Sequence, residues 1–202
     1  MRLLPLLAML VFLLPPAPAT ASAPKTGQKA PQFAAMDQHA TPFNLKKSAS
    51  SLKNGGAVVL LFWSTTCKSC KNGLKAAEEL AKDPAMEHNR FVLVTCDQPD
   101  IPKEQRNSQV IRSFLSASIQ TLVSFGLSGV KIGGKLKVLW DVDLQIARKY
   151  GIFDGNELKL PLVVVVDRGR FVRAIWTEED STFKRVLTDA LKTVNARESG
   201  GQ

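Results

Sequence analysis

Seven consecutive apolar residues, Ala57-Val58-Val59-Leu60-Leu61-Phe62-Trp63, are followed after three polar residues by Cys67-Lys68-Ser69-Cys70. An apolar run with no polar residue on either face is a strand covered on both sides, so it belongs inside a sheet flanked by helices. Beyond it, Cys70, Leu74, Ala77 and Ala81 recur at helical spacing, with Lys71, Lys75, Glu78 and Lys82 elsewhere around the helix, up to a stop before Pro84. The two cysteines therefore stand where a buried strand gives way to a helix. A helix beginning near Cys67 would aim unpaired backbone N–H groups and the positive end of its dipole at that sulfur, which favours the thiolate. Cys70, one turn further in, is near enough to close a disulfide with it.

Thiol-disulfide chemistry ranks ahead of two structural readings of this pair. A zinc knuckle needs two more ligands, yet only Cys96 remains, and His39 and His88 flank no second half-site. A purely structural disulfide would normally close a larger loop between distant segments. Cys96, in the apolar stretch Phe91-Val92-Leu93-Val94-Thr95-Cys96, reads as a small buried core residue.

The chain opens with Met1-Arg2 and an apolar stretch from Leu3 to Leu14, then Pro15-Pro16 and the small residues Ala17, Ala19, Ala21 and Ala23. This predicts a secretory signal over residues 1–23, cleaved near Ala19 or Ala21, and too short to serve comfortably as a membrane span. Export to a bacterial periplasm would take the cysteine pair out of the reducing cytosol, and a dithiol there needs an external electron donor or acceptor. The remainder, about 180 residues, is a single-domain length, expected to be a monomer. Lys and Arg number 27 against 18 Asp and Glu. The excess is dispersed, and clusters such as Lys46-Lys47 and Lys131 to Lys137 lack interleaved aromatics, so a solvated basic surface is favoured over a nucleic-acid site.

Between residues 29 and 45 the pattern gives two short strands around a polar turn at 37–40, with Asn44 capping a helix to about Lys53. Strand 91–96 leads through a loop at 97–102 to a helix over about 107–115, while 116–135, rich in glycine towards its end, reads as partly irregular. Lys137 to Trp140 resembles a strand, and Asp141 or Asp143 would cap a helix holding Leu144, Ile146, Ala147 and Tyr150. Strands 162–166 and 170–176 then flank the turn Asp167-Arg168-Gly169, and a last helix spans about 179–194. Parallel crossovers feeding a terminal antiparallel hairpin make a mixed sheet flanked by helices, an α/β fold.

Four landmarks now carry a resemblance: Gly27 to Phe33; Leu61 to Cys70; Trp140-Asp141-Val142-Asp143 before Ile146 to Ile152; and Leu160-Pro161 with Leu162 to Arg170. Together they resemble thioredoxin-like proteins, and within them the exported TlpA/ResA type of thiol-disulfide oxidoreductase. The resemblance covers residues 27–195 and leaves 196–202 as a flexible tail. It implies a thioredoxin-like three-layer fold with an N-terminal β-hairpin extension. It also makes Cys67 the attacking thiol, Cys70 the resolving thiol, and Pro161 a cis-proline that turns the Leu160 backbone towards an incoming peptide. Trp63 would pack beneath the site. The family often has Trp just before the first cysteine, where this chain has Thr66, so the docking surface is smaller and more polar. Relatives bury an acid for the resolving cysteine's proton at positions held here by Leu61 or Gly73, which leaves Glu78 and Asp97 as substitutes. Glu78 reads more simply as a surface partner of Lys82, and Asp97 as a strand-end residue. Lys68, between the cysteines, should favour the thiolate and a more oxidising couple, against the reductant role usual in such relatives.

The resemblance implies protein thiol or disulfide substrates, apocytochromes before haem attachment among them, with no cofactor and no metal. Two other functions compete. The related peroxiredoxins share the scaffold, but of their Pro-x-x-x-Thr/Ser-x-x-Cys motif only Ser64 matches, with Leu60 in place of proline. A Cu(I)- or partner-binding module would need further soft ligands, and no methionine cluster or histidine lies nearby in sequence.

Overall fold

The central run forms strand β3, and what surrounds it follows from its alternation. In this computed structural model, which describes residues 22–53, 55–127, 136–177 and 182–199, the elements run β1 (Ala34–Met36), β2 (Pro42–Asn44), α1 (Leu45–Ser50), β3 (Val58–Trp63), α2 (Cys70–Lys82), β4 (Arg90–Thr95) and α3 (Ser108–Ser124). They continue with β5 (Leu136–Trp140), α4 (Gln145–Lys149), β6 (Leu162–Val166), β7 (Val172–Trp176) and α5 (Phe183–Ser199). The main sheet has the order β5-β4-β3-β6-β7. β4 pairs in parallel with both β3 and β5, and β6 pairs antiparallel with β3 and β7. Of the expected leader, residues 1–21 lie outside the described residues.

Because side chains alternate along a strand, β3 feeds two separate cores. Val59, Leu61 and Trp63 join α2, α3 and α5 on one face, where Leu74, Leu115, Leu187 and Leu191 are buried. Val58, Leu60 and Phe62 join α1, α4 and the N-terminal segment on the other, with Phe33, Phe43, Leu45, Ile146 and Tyr150. These are the three layers expected from an apolar strand with both faces covered. At the start of β3, a Cβ on Gly56 would lie 2.0 Å from the His88 carbonyl oxygen, so only glycine lets the two segments approach.

β1 and β2 form the expected hairpin. Its turn is tied by Asp37, whose Oδ1 accepts from the His39 and Thr41 N–H groups at 3.0 and 2.9 Å. Asn44 caps α1 by accepting from the Lys47 N–H at 3.0 Å. The Lys137 ammonium, part of the basic cluster in the sequence, donates to Asp37 at 2.6 Å and is not a free surface charge; residues 131–135 of that cluster are outside the described set.

Several boundaries differ from the sequence pattern. α3 continues to Ser124 where irregular structure is expected from 116. Cys96 sits just past the end of β4, not inside the strand. β7 begins at Val172, and α5 runs from Phe183 to Ser199, starting and ending later than its pattern gives.

Candidate active site

At the end of β3 the chain turns through Ser64 to Ser69 before entering α2. The helix begins at Cys70 and not near Cys67, which places three residues of turn ahead of it. The Cys67 N–H donates to the Ser64 carbonyl at 3.1 Å and bends the chain back. The consequence expected for the sulfur is nevertheless present. The N–H of Cys70, first residue of the helix, donates to Cys67 Sγ at 3.2 Å, and Ser69 Oγ lies 3.4 Å from the same sulfur.

Cys67 and Cys70 are joined by a disulfide. Their surroundings are unequal: Cys67 is half-buried, whereas Cys70 is 0% exposed in the cluster that also holds Trp63. Trp63 is fully buried beneath the pair, and its indole N–H finds no acceptor among the described residues. Thr66 and Lys68 are exposed, and Thr66 Oγ1 lies 3.1 Å from Ser64 Oγ. The Leu160–Pro161 peptide is cis. Phe62 pairs with Leu162, so one step further Pro161 comes level with Trp63, at the sheet end from which the cysteine loop leaves. Leu160 is half-buried and packs against both clusters.

Asp97 holds the cysteine loop from the neighbouring strand. Its carboxylate accepts from the Thr65 N–H at 3.0 Å, from Thr65 Oγ1 at 3.0 Å and from Thr95 Oγ1 at 2.9 Å. Its carbonyl accepts from Trp140 Nε1 at 3.0 Å, which ties it to β5 as well. Gln98 extends the link, donating to the Asp141 carbonyl at 2.8 Å and accepting from the Asp143 N–H at 3.0 Å. The loops leaving β3, β4 and β5 are thereby fastened together at one end of the sheet. A strand-end aspartate is visible in sequence, but its attachment to Thr65, 32 positions away, depends on the β3–β4 pairing.

Asp141, not Asp143, caps α4, with its oxygens accepting from the Ile146 and Ala147 N–H groups at 2.7 and 2.6 Å. Burial pushes its carboxyl up to about 6, while the Ile146, Ala147 and Gln145 N–H groups and Arg148 pull it down. Asp143 instead pairs with Arg106 and Lys103 at 2.6 and 3.1 Å. Glu78 is not the surface residue the charge pattern suggests: it is 4% exposed and pairs with Lys82 at 2.9 Å. It lies four residues after Leu74, on the buried stripe of α2. Cys96 is buried in the opposite core, and that burial, with the Asp141 and Asp97 carboxylates adding to it, pushes its thiol well above its ordinary range. No group of three or more His, Cys, Asp or Glu among the described residues could hold a metal ion.

The sequence profile of the AhpC/TSA family matches residues 26–175. The chain belongs to that family. No match to a curated protein was found. Among solved structures, a candidate thiol:disulfide interchange protein DsbE of Chlorobium tepidum is 17% identical, covering 86% of this chain and 99% of that one, with a TM-score of 0.62. DsbF of Mycobacterium tuberculosis is 19% identical over 81% of this chain and 95% of its own, with a TM-score of 0.55. The peroxidoxin BcpB of the same organism is 21% identical over 86% and 97%, with a TM-score of 0.60. At these identities the likenesses establish the fold: this AhpC/TSA member is a thioredoxin-like α/β protein carrying a Cys-x-x-Cys pair. No helix among the described residues is long and apolar enough to cross a membrane.

Proposed function

We propose that the chain is an exported thiol-disulfide oxidoreductase that exchanges its Cys67/Cys70 dithiol and disulfide with protein substrates. The observation that carries this is the inequality of the two sulfurs. Cys67 is half-buried and accepts the helix N–H, whereas Cys70 is sealed in the core. An N–H aimed at sulfur stabilises the thiolate, and the thiolate is the nucleophile. In the reducing direction, Cys67 thiolate attacks one sulfur of a substrate disulfide, forming a mixed disulfide and expelling the other substrate sulfur as thiolate. Cys70, giving up its proton, then attacks Cys67 Sγ. The Cys67–Cys70 bond forms, the second substrate thiol leaves, and two electrons have passed to the substrate. An external thiol donor restores the dithiol. The opposite direction reverses each step.

The apolar leader and following small residues support export to a bacterial periplasm, where apocytochromes awaiting haem are one class of protein whose cysteines must be kept reduced. The position of Pro161, level with Trp63 beside the cysteine loop, supports a part for Leu160 and Pro161 in seating the substrate backbone. Alkylation of the reduced protein across pH tests the assignment. Cys67 is expected to react first, Cys67→Ser to abolish exchange, and Cys70→Ser to accumulate mixed disulfides; faster reaction at Cys70 overturns the roles. Equilibration in glutathione buffers gives the direction of electron flow, a potential near thioredoxin's, about −270 mV, marking a reductant.

The AhpC/TSA match favours a second reading, a thiol peroxidase. Leu60 stands where the peroxide-binding motif has proline, and Ser64 is buried. Stopped-flow reaction with hydrogen peroxide separates the two: saturable conversion of Cys67 to sulfenic acid, far faster than a simple thiol, would put the peroxidase first.

A further inference from the structure

The opening of α2 is charged against its own stability. Lys68, Lys71 and Lys75 are all exposed, and the first turn of the helix holds no acidic residue. From Ser64 to Ala77 the chain has no Asp or Glu at all. Lys68 and Lys71, close to the helix N-terminus, oppose its dipole, and Lys71 and Lys75, four apart, repel one another, while the exposed Lys75 side chain extends beside Gly126, just past the end of α3. None of the three forms an ion pair among the described residues, and the first carboxylates of the helix are engaged elsewhere, Glu78 by Lys82 and Glu79 by Lys184. The rest of the rim around Cys67 is polar: Thr65, Thr66 and Ser69 are exposed and present hydroxyls. The cysteine loop itself carries no large apolar side chain, half-buried Leu160 across from it being the apolar neighbour, so hydrophobic docking gains little there and charge becomes the main means of selection.

We infer that Lys68, Lys71 and Lys75 form a docking surface for a protein segment that carries Asp or Glu beside its exchanging cysteine. This rests on the thiol-disulfide exchange reading above and names the class of partner. Acidic residues flanking the substrate sulfur would meet the lysines as Cys67 meets the disulfide, raising the encounter rate and holding the mixed disulfide in register.

The test uses the reduced full chain and two peptide disulfides of equal length, one with Glu and one with Lys flanking the cysteine. At low ionic strength the acidic peptide is expected to be reduced about five- to tenfold faster in kcat/KM, from two or three exposed charge pairs. Salt should bring the ratio towards one, since such pairs are screened within about 10 Å at 0.1 M. Lys71→Glu with Lys75→Glu should abolish or invert the preference. Lys46→Glu with Lys47→Glu, the same change in net charge on α1 across the sheet, should leave it intact. Equal rates for the two peptides, or a preference lost equally in the α1 variant, overturns the inference while exchange itself stands. Failure to react with either peptide and with neutral oxidised dithiothreitol overturns the exchange reading and this inference together.

Discussion

Replacing Asp141 with Asn should change how stability depends on pH, and the size of the change follows from the site. The carboxyl is 0% exposed and accepts from two α4 N–H groups. Its folded value is raised from the ordinary 3.8 to about 6 by burial, so the folded protein holds this proton more tightly than the unfolded chain does. The stabilisation is fully present below the ordinary value and is lost as pH rises through the folded one. Between about pH 4 and pH 7 the unfolding free energy should therefore fall by about 3 kcal/mol on account of this group. Asn has no proton to lose, and its single acceptor leaves one helix N–H unpaired at a cost of about 1–3 kcal/mol at every pH. Asp37, drawn down by Lys137 and its turn N–H groups in spite of burial, and Asp143, drawn down by Arg106 and Lys103, act with the opposite sign below about pH 4 in both proteins and cancel in the difference. Urea unfolding of the oxidised proteins from pH 4.5 to 7.5, followed by tryptophan fluorescence, gives the two curves. The wild-type advantage should shrink steadily as pH rises. Parallel curves with a constant offset would refute the argument.

Other outcomes follow from single features. Asp97→Ala should release the Thr65 turn and cost about 1–2 kcal/mol, with exchange slowed more than in Thr65→Val, which keeps the N–H bond to the carboxylate; equal rates in the two variants would remove the clamp from any part in the reaction. Brief iodoacetamide treatment of the reduced native protein should label Cys67 and spare Cys96, which should become reactive only in denaturant; mass spectrometry of the digest decides this. Gly56→Ala should destabilise by about 2–4 kcal/mol, since its Cβ would meet a backbone carbonyl that cannot swing away; a loss under about 0.5 kcal/mol in the same unfolding assay would show that the contact can relax.

What the sequence discloses is what local spacing controls. The all-apolar β3 run, the Cys-x-x-Cys at its end and the Asn44 cap each depend on neighbours within a few residues, and each is found in place. The start of α2 is less local, because Cys67 to Ser69 form a turn, bent back by the Cys67 N–H bond to the Ser64 carbonyl, that helical spacing does not reveal. The far half of α3 is hidden by Ser116, Ser118, Thr121 and Ser124, poor helix formers whose hydroxyls compete for backbone. In the fold Ser118 and Thr121 bond the carbonyls of Phe114 and Ala117 inside the helix, while Leu115 and Leu122 are buried in the core and Phe114 packs on Trp140. The Asp97 clamp is invisible in sequence for a different reason: it joins residues that only a parallel strand pair brings together.

The separation of the two cores limits which sulfurs can ever meet. Three cysteines permit three pairings, and in an unfolded chain under oxidising conditions all three compete. Once β3 and β4 have paired, Cys70 is held on one side of the sheet with Trp63, and Cys96 on the other with Phe62 and Val94. Cys96, just past the end of β4, then lies buried in the core opposite the one that holds Cys70, and oxidation of the folded molecule favours the Cys67–Cys70 pairing. The sheet that positions the reacting thiols thus also keeps the spare thiol out of their chemistry, and an event that opens the β3–β4 pairing puts the correct disulfide at risk along with the fold.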